Sequence, residues 1–365
     1  MENRKIRVAI TQGDTNGIGY ELIFKTFAEP EMLELCTPII YGSPKIAAYH
    51  RKAMELQANF SIISRAEDAQ DGRINLLTCF DDEVKVELGM PTKESGEAAL
   101  KALDRAMTDF RGQLYDVLVA CPVHPANMSS ENYNYTDLAQ YAQTSIGDGE
   151  KAVKIMINES LRIALATSNL NLKDVATNIS EESVLNKIKA LHLSMRRDFR
   201  LSSPRIAVLA MNPCADGEEE KDILTPAIKA AEEQGICAYG PFAAENFFGN
   251  DLTEMFDCIL AMYDDQANIP FNTLMQNDGI HYIASLPLVC TAPALNPCFD
   301  IAGKGIADES ALRHAIFAAI DIVRHRAEYD EPLANPLPKL YHEKRDESEK
   351  VRFAIPKRRE PLNNR

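Results

Sequence analysis

The chain has 365 residues, 45% of them hydrophobic, and a formal net charge of −15. That size suits about two globular domains, and the acidic balance argues against nucleic acid or an anionic membrane as a general partner. No apolar run reaches the ~18 residues of a membrane span, the start MENRKIRVAI lacks a secretory core, and eight cysteines with no CxxC pair fit reduced thiols in the cytoplasm.

In chain order, IRVAIT at 6–11 reads as a strand and ELIFKTFAEP opens a helix. PIIYGS at 38–43 is a second strand, and PKIAAYHRKAME follows it as a helix. YDVLVACPVH at 115–124 is a buried strand running into a loop. KAVKIMINES and LRIALATS, within 151–168, read as two adjacent strands, which makes the sheet mixed. Ser180, followed by Glu181 and Glu182, caps a helix running to about Phe199. PRIAVLAMNP at 204–213 and FDCILAMYDD at 256–265 share one design, an apolar strand ending in a polar break. Between them Thr225-Pro226 marks a cap and first-turn proline, and Gly235 a stop. Asp308 caps ESALRHAIFAAIDIVRHR. From Tyr329 the chain turns proline- and charge-rich, so 331–365 is expected to be a partly disordered tail. This alternation is α/β architecture.

Chemistry-bearing side chains cluster after the strands, where α/β sheets gather ligands. TQGDTNGIGYE at 11–21 carries Gly13, Gly17 and Gly19, but not at the GxGxxG spacing. It is either a ligand loop or a structural strand–helix turn. His124 follows one strand, Cys214 a second and Asp264 a third. His124 can titrate near neutral pH. Cysteine and aspartate both bind divalent metals, although buried thiols and strand-end aspartates commonly serve structure alone. Gly303, Lys304 and Gly305, in DIAGKGIADES, form a turn before a capped helix. Lys304 there either meets a phosphate or simply sits on a turn.

The ordered segments ITQGDTNGIGYEL, YGSP, CPVH, LRIALATSNLNLKDVA, MNPCA, LAMYDDQ, SLPLV and IAGKGIAD resemble the 4-hydroxythreonine-4-phosphate dehydrogenase family of vitamin B6 biosynthesis, over about residues 5–327. The resemblance implies a two-domain α/β fold like isocitrate and isopropylmalate dehydrogenases, with mixed sheets flanked by helices. The expected domains are interleaved, about 1–120 and 205–330, with 121–204 supplying the second domain and dimer contacts. It also implies a homodimer, NAD or NADP, a divalent metal, and oxidation then decarboxylation of a phosphorylated hydroxy amino acid. The metal would acidify the alcohol and hold the ketone oxygen.

The family's three metal-binding histidines fall on Leu138, Cys214 and Asp264, with Asp137 one residue out of register. Its substrate-binding lysine, asparagine and arginine fall on Asn272, His281 and Cys290. Each lost charge-assisted contact is worth roughly 1.5–3 kcal/mol. The family's DHGTA cofactor segment reads ALNPC at 294–298, while His124 and Asp265 are retained. Three readings follow. One is a divergent family dehydrogenase that still binds a metal through Cys214, Asp264 and Asp137. The second is a non-catalytic paralogue acting as a binding or regulatory partner. The third is a binder of another small molecule, a small anionic one among the candidates, in the same cleft through His124, His281 and the thiols.

Overall fold

The computed structural model describes residues 4–80, 84–128, 135, 137–274 and 278–336. Twelve strands form one sheet. In chain order they are β1 Ile6–Thr11, β2 Cys36–Gly42, β3 Phe60–Ile63, β4 Ile74–Thr78, β5 Val117–Ala120, β6 Val153–Ile157, β7 Arg162–Leu165, β8 Ile206–Leu209, β9 Ala238–Phe242, β10 Cys258–Ala261, β11 Ile280–Ala284 and β12 Val289–Pro293. They lie side by side as β3-β4-β2-β1-β5-β12-β11-β6-β7-β10-β8-β9. Pairing is parallel from β3 to β12 and again from β7 to β9. The three joints between β12 and β7 are antiparallel. The adjacent strands expected in 151–168 are therefore β6 and β7, and they make the sheet mixed.

The parallel strands read as unbroken apolar runs because helices bury both of their faces. VLVA, IAVL and CILA are buried at every position. One face carries a single core along the sheet. Helices Gly19–Thr26, Glu181–Arg197, Thr225–Glu233 and Ser310–Ala334 supply it with Leu22, Ile188, Ile228 and Ile316, among others. The opposite face carries two separate cores. Helices Lys93–Arg111 and Leu138–Ile146 cover one, around Leu103 and Tyr141. Helices Ala244–Gly249 and Asp264–Leu274 cover the other, around Phe247 and Phe271.

Three helix boundaries test the local reading. Ser180 does cap: its hydroxyl accepts the Ser183 amide, and Ser183 returns the contact. Thr225 does not cap, because a wide turn over Glu220–Leu224 runs straight into the helix and Thr225 becomes its first residue. The last helix extends past Tyr329 to Ala334. Ion pairs Arg197–Asp330 and Arg200–Glu328 fasten that extension to the end of Glu181–Arg197. The rest of the expected tail, 337–365, lies outside the described residues.

One buried polar cluster ties the last helix to the sheet. Arg326 Nε donates to Asp198 Oδ1 at 2.8 Å, and its other nitrogens donate to the Leu286 carbonyl and the Tyr282 hydroxyl. Asp198 Oδ2 accepts from Tyr282 (2.6 Å) and Ser194 (2.5 Å). Both charged groups are nearly inaccessible, so removing either leaves the other uncompensated. Arg326→Met is expected to cost about 3–5 kcal/mol of unfolding free energy. Urea denaturation measures it, and a loss below about 1 kcal/mol would show the pair to be incidental.

Candidate small-molecule site

The site follows from how side chains alternate across β5, β12, β11 and β6. Residues in register share a face. One row runs Leu118, Cys290, Ile283, Lys154. The next contains Ala292, His281, Met156. Ile283 belongs to one of the two cores on that face and Met156 to the other. Lys154 and His281 are thus the polar side chains at the seam where the two cores part. A cavity of about 220 Å³ opens there, lined by Leu103 and Ala120–Val123 and by Pro293, Leu295 and Asn296. Asp137, Leu138 and Asn169 complete its wall.

Its two basic groups behave differently. Burial, reinforced by the nearby Lys154 charge, pushes the His281 imidazole down to about 3. It is therefore a neutral hydrogen-bonding group at ordinary pH. Lys154 has no carboxylate partner among the described residues. Lys187, packed nearby on Glu181–Arg197, donates to the Ala152 carbonyl at 3.3 Å. Burial and Lys151 lower its pKa, while Asp137 opposes them.

The three positions matched to metal ligands do not assemble a ligand set. Leu138 is the first residue of its helix and offers only carbon. Its neighbour Asp137 is the helix cap: one oxygen accepts the Gln140 amide at 2.8 Å, the other the Asn169 side-chain amide at 2.9 Å. Asp264 opens its own helix, with Oδ2 accepting the Asn169 backbone amide at 2.8 Å. Asn169, on the loop after β7, therefore bridges the two carboxylates and is the polar neighbour of Asp264. Cys214 is exposed on the loop after β8. That loop closes on its own carboxylate. Glu220 accepts the backbone amides of Met211 and Asn212 and the Asn212 side chain, each at 2.8 Å. Burial raises the Glu220 pKa, and these hydrogen bonds outweigh it to leave the group lowered. Among the described residues no group of three or more His, Cys, Asp or Glu side chains is placed to hold a metal ion.

The other expected site residues scatter. Asn272 and Asp265 are exposed on Asp264–Leu274. Cys290 lies in the core beside the cavity, fully buried, its thiol pushed up to about 12 by that burial. His124 packs its ring against Phe299 at 5.9 Å, with a buried Nδ1 that meets no partner among the described residues. The Gly303-Lys304-Gly305 turn presents Lys304 to solvent, while the Gly305 carbonyl accepts Lys25 Nζ at 2.9 Å. The helix beyond it has its Ser310 amide taken by Asp308 at 2.9 Å. The glycine loop after β1 is a packing junction: a Cβ on Gly13 would lie 2.6 Å from the Pro122 carbonyl oxygen, and one on Gly19 2.0 Å from that of Gln12. Gly17 packs as tightly on Pro297.

Sequence reasoning missed Lys154, Asn169, Glu220 and Gln266. Gln266 accepts the Met262 amide at 2.9 Å and donates to the Ala210 carbonyl at 2.7 Å, tying the ends of β10 and β8 together. Only Lys154 carried a readable signal, a lysine inside the central strand VKIMI.

Residues 34–319 match the family described as "Pyridoxal phosphate biosynthetic protein PdxA". The chain belongs to this PdxA family. It is 47% identical to a 4-hydroxythreonine-4-phosphate dehydrogenase of Bacteroides thetaiotaomicron, over 97% of this chain and 98% of that protein. It is 31% identical to one of Sulfurihydrogenibium over 88% and 99% of the two chains. A crystal structure of the Klebsiella pneumoniae enzyme shares the fold, with TM-score 0.73 at 23% identity, covering 88% of this chain and 99% of that one. The α/β fold expected from the sequence, a mixed sheet flanked by helices, is the fold this chain shares with that structure. Among the described residues no helix is long and apolar enough to cross a membrane.

The buried histidines of this PdxA-family chain make its stability acid-sensitive. Burial lowers the pKa of His50, His192 and His281. Below about pH 6.5 the unfolded chain binds protons that the folded chain refuses, so stability present above that pH is lost as pH falls. For His281 the loss continues towards pH 3. His50 and His281, the two well-covered rings, each add up to about 1.4 kcal/mol per pH unit. Urea midpoints at pH 7.5 and 5.0 are expected to differ less in His281→Asn than in the parent, and an unchanged difference would contradict the assignment.

Proposed function

We propose that this PdxA-family chain binds a small anionic hydroxy acid in the cavity and does not perform the metal-dependent oxidation and decarboxylation that the family resemblance implies. The observation behind this is the donor set. That chemistry needs a cation to acidify an alcohol and hold the ketone oxygen. Leu138 has no lone pair, Cys214 stands exposed on a loop closed by Glu220, and Asp264 is hydrogen-bonded to Asn169. The residues present do not fit a divalent metal. The resemblance also implies NAD or NADP. The family's cofactor segment is replaced by ALNPC at 294–298, and the Gly303-Lys304-Gly305 turn, the other candidate, gives its carbonyl to Lys25 and packs Gly303 on Leu88, tasks internal to the fold.

What the cavity can do is bind and orient. Lys154 supplies positive charge, neutral His281 and Asn296 supply hydrogen bonds, and Leu138, Ile283 and Leu295 exclude water. We further propose that the chain works as a cytoplasmic homodimer. Its eight free cysteines fit a reducing compartment. Leu170 and Leu172 are exposed on the loop just past Asn169, apolar surface that a second copy would cover.

A second reading is favoured by the 47% identity to the Bacteroides thetaiotaomicron enzyme, namely an active NAD(P)-linked 4-hydroxythreonine-4-phosphate dehydrogenase of pyridoxal phosphate biosynthesis. Two measurements decide between the readings: metal content of protein purified in the presence of zinc and magnesium, and absorbance at the reduced-nicotinamide band with 4-hydroxythreonine 4-phosphate and either cofactor. Substoichiometric metal and no signal above the protein-free blank are expected. Stoichiometric metal with turnover would establish the second reading instead.

A further inference from the structure

We propose that Lys154 is the counter-ion for a single carboxylate, so that the cavity takes a small organic acid with an apolar body and holds it without a metal ion. This rests on the reading of the cleft as a metal-free binding site and names the ligand class it accepts.

A lysine in a central strand is unfavourable unless something uses its charge. Lys154 stands in register with Ile283, in a row whose other members, Leu118 and Cys290, are fully buried. Lys154 itself is half-buried and lines the cavity, where an ammonium gains from a partner of opposite charge. The protein supplies no carboxylate partner among the described residues. Asp137 lines the same cavity, but it forms no ion pair with Lys154 and instead accepts amides of Gln140 and Asn169. The geometry thus leaves a cation facing a partly open cleft, with a neutral imidazole one row away on the same face.

Charge and size narrow the ligand. Lys154 is the one cation lining the cavity among the described residues, and with the Asp137 carboxylate in the same wall it favours one negative charge over a phosphate dianion. At about 220 Å³ the cavity is smaller than the roughly 300–1,000 Å³ of drug-sized sites, which suits a small ligand. Leu103, Leu138, Ile283 and Leu295 make most of the remaining wall apolar, which suits a short branched hydrocarbon body. His281 is positioned by register to hydrogen-bond a hydroxyl or a second carboxylate oxygen.

The probe is 2-hydroxy-4-methylpentanoate, titrated calorimetrically into full-length protein stripped of metal with chelator. The neutral amide of the same acid and inorganic phosphate are run alongside. Binding of the acid is expected, with the amide and phosphate each at least about tenfold weaker. Lys154→Gln should weaken the acid by about tenfold or more, Lys154→Arg should restore most of it, and the solvent-facing control Lys304→Gln should leave it unchanged. No binding of the acid, equal binding of acid and amide, or tighter binding of phosphate would overturn the proposal. The acid–amide comparison needs no variant, so it decides the matter even if Lys154→Gln folds poorly. Failure here leaves the metal and turnover measurements untouched. Binding that requires added divalent metal would sink both this proposal and the metal-free reading.

Discussion

The break in one face of the sheet, between Ile283 and Met156, governs what this molecule can bind. Everywhere else apolar rows on β1, β2, β5, β8 and β10 meet helices on both sides and close into cores. At the seam the next residues in register are Lys154 and His281, and neither can be absorbed into a hydrocarbon core without a partner. Two cores therefore stop on either side of the pair, and the space between them is the cavity. The opposite face, which has no such interruption, carries a single core through the same strands.

Around that seam the protein satisfies its own carboxylates. Asp137 caps a helix and accepts from Asn169, Asn169 donates onward to Asp264, and Glu220 collects the amides of its own loop. Each group has traded a contact with solvent, or with a cation, for neutral N–H donors. Such donors stabilise an ionised carboxylate in place and need no further charge. A metal entering here would have to displace them first, and Leu138 would contribute nothing in return. The polar network and the missing imidazoles are thus two sides of one arrangement.

Much of the fold was legible because its signals are local. The apolar runs at 6–11, 115–124, 204–213 and 256–265 are strands, and Ser180 caps where a serine followed by acidic residues should. Thr225 misled because Glu220–Leu224 already winds as a helix-like turn, so no cap was needed. The final helix outran its expected end because Arg197 and Arg200, distant in sequence, pair with Asp330 and Glu328. The site was harder to read. Cys290 shows why: the resemblance puts it among substrate contacts, yet it lies fully buried in the core beside the cavity and does not line it. The glycines after β1 had two open readings, and close approach to Pro122 and Gln12 decides for packing.

Asn169 was invisible for a different reason. It is one residue in a polar loop, and what distinguishes it is its pair of partners, Asp137 and Asp264. Those partners come from helices more than thirty and ninety residues away in opposite directions along the chain, as the separations of 32 and 95 show. No local pattern encodes such a meeting. Lys154 is the converse case, since a charge interrupting VKIMI can be seen without coordinates. What only the fold supplies is that the interruption falls beside His281, between two cores rather than at a solvent edge. That placement turns an unfavourable residue in a central strand into the one that selects the ligand's charge.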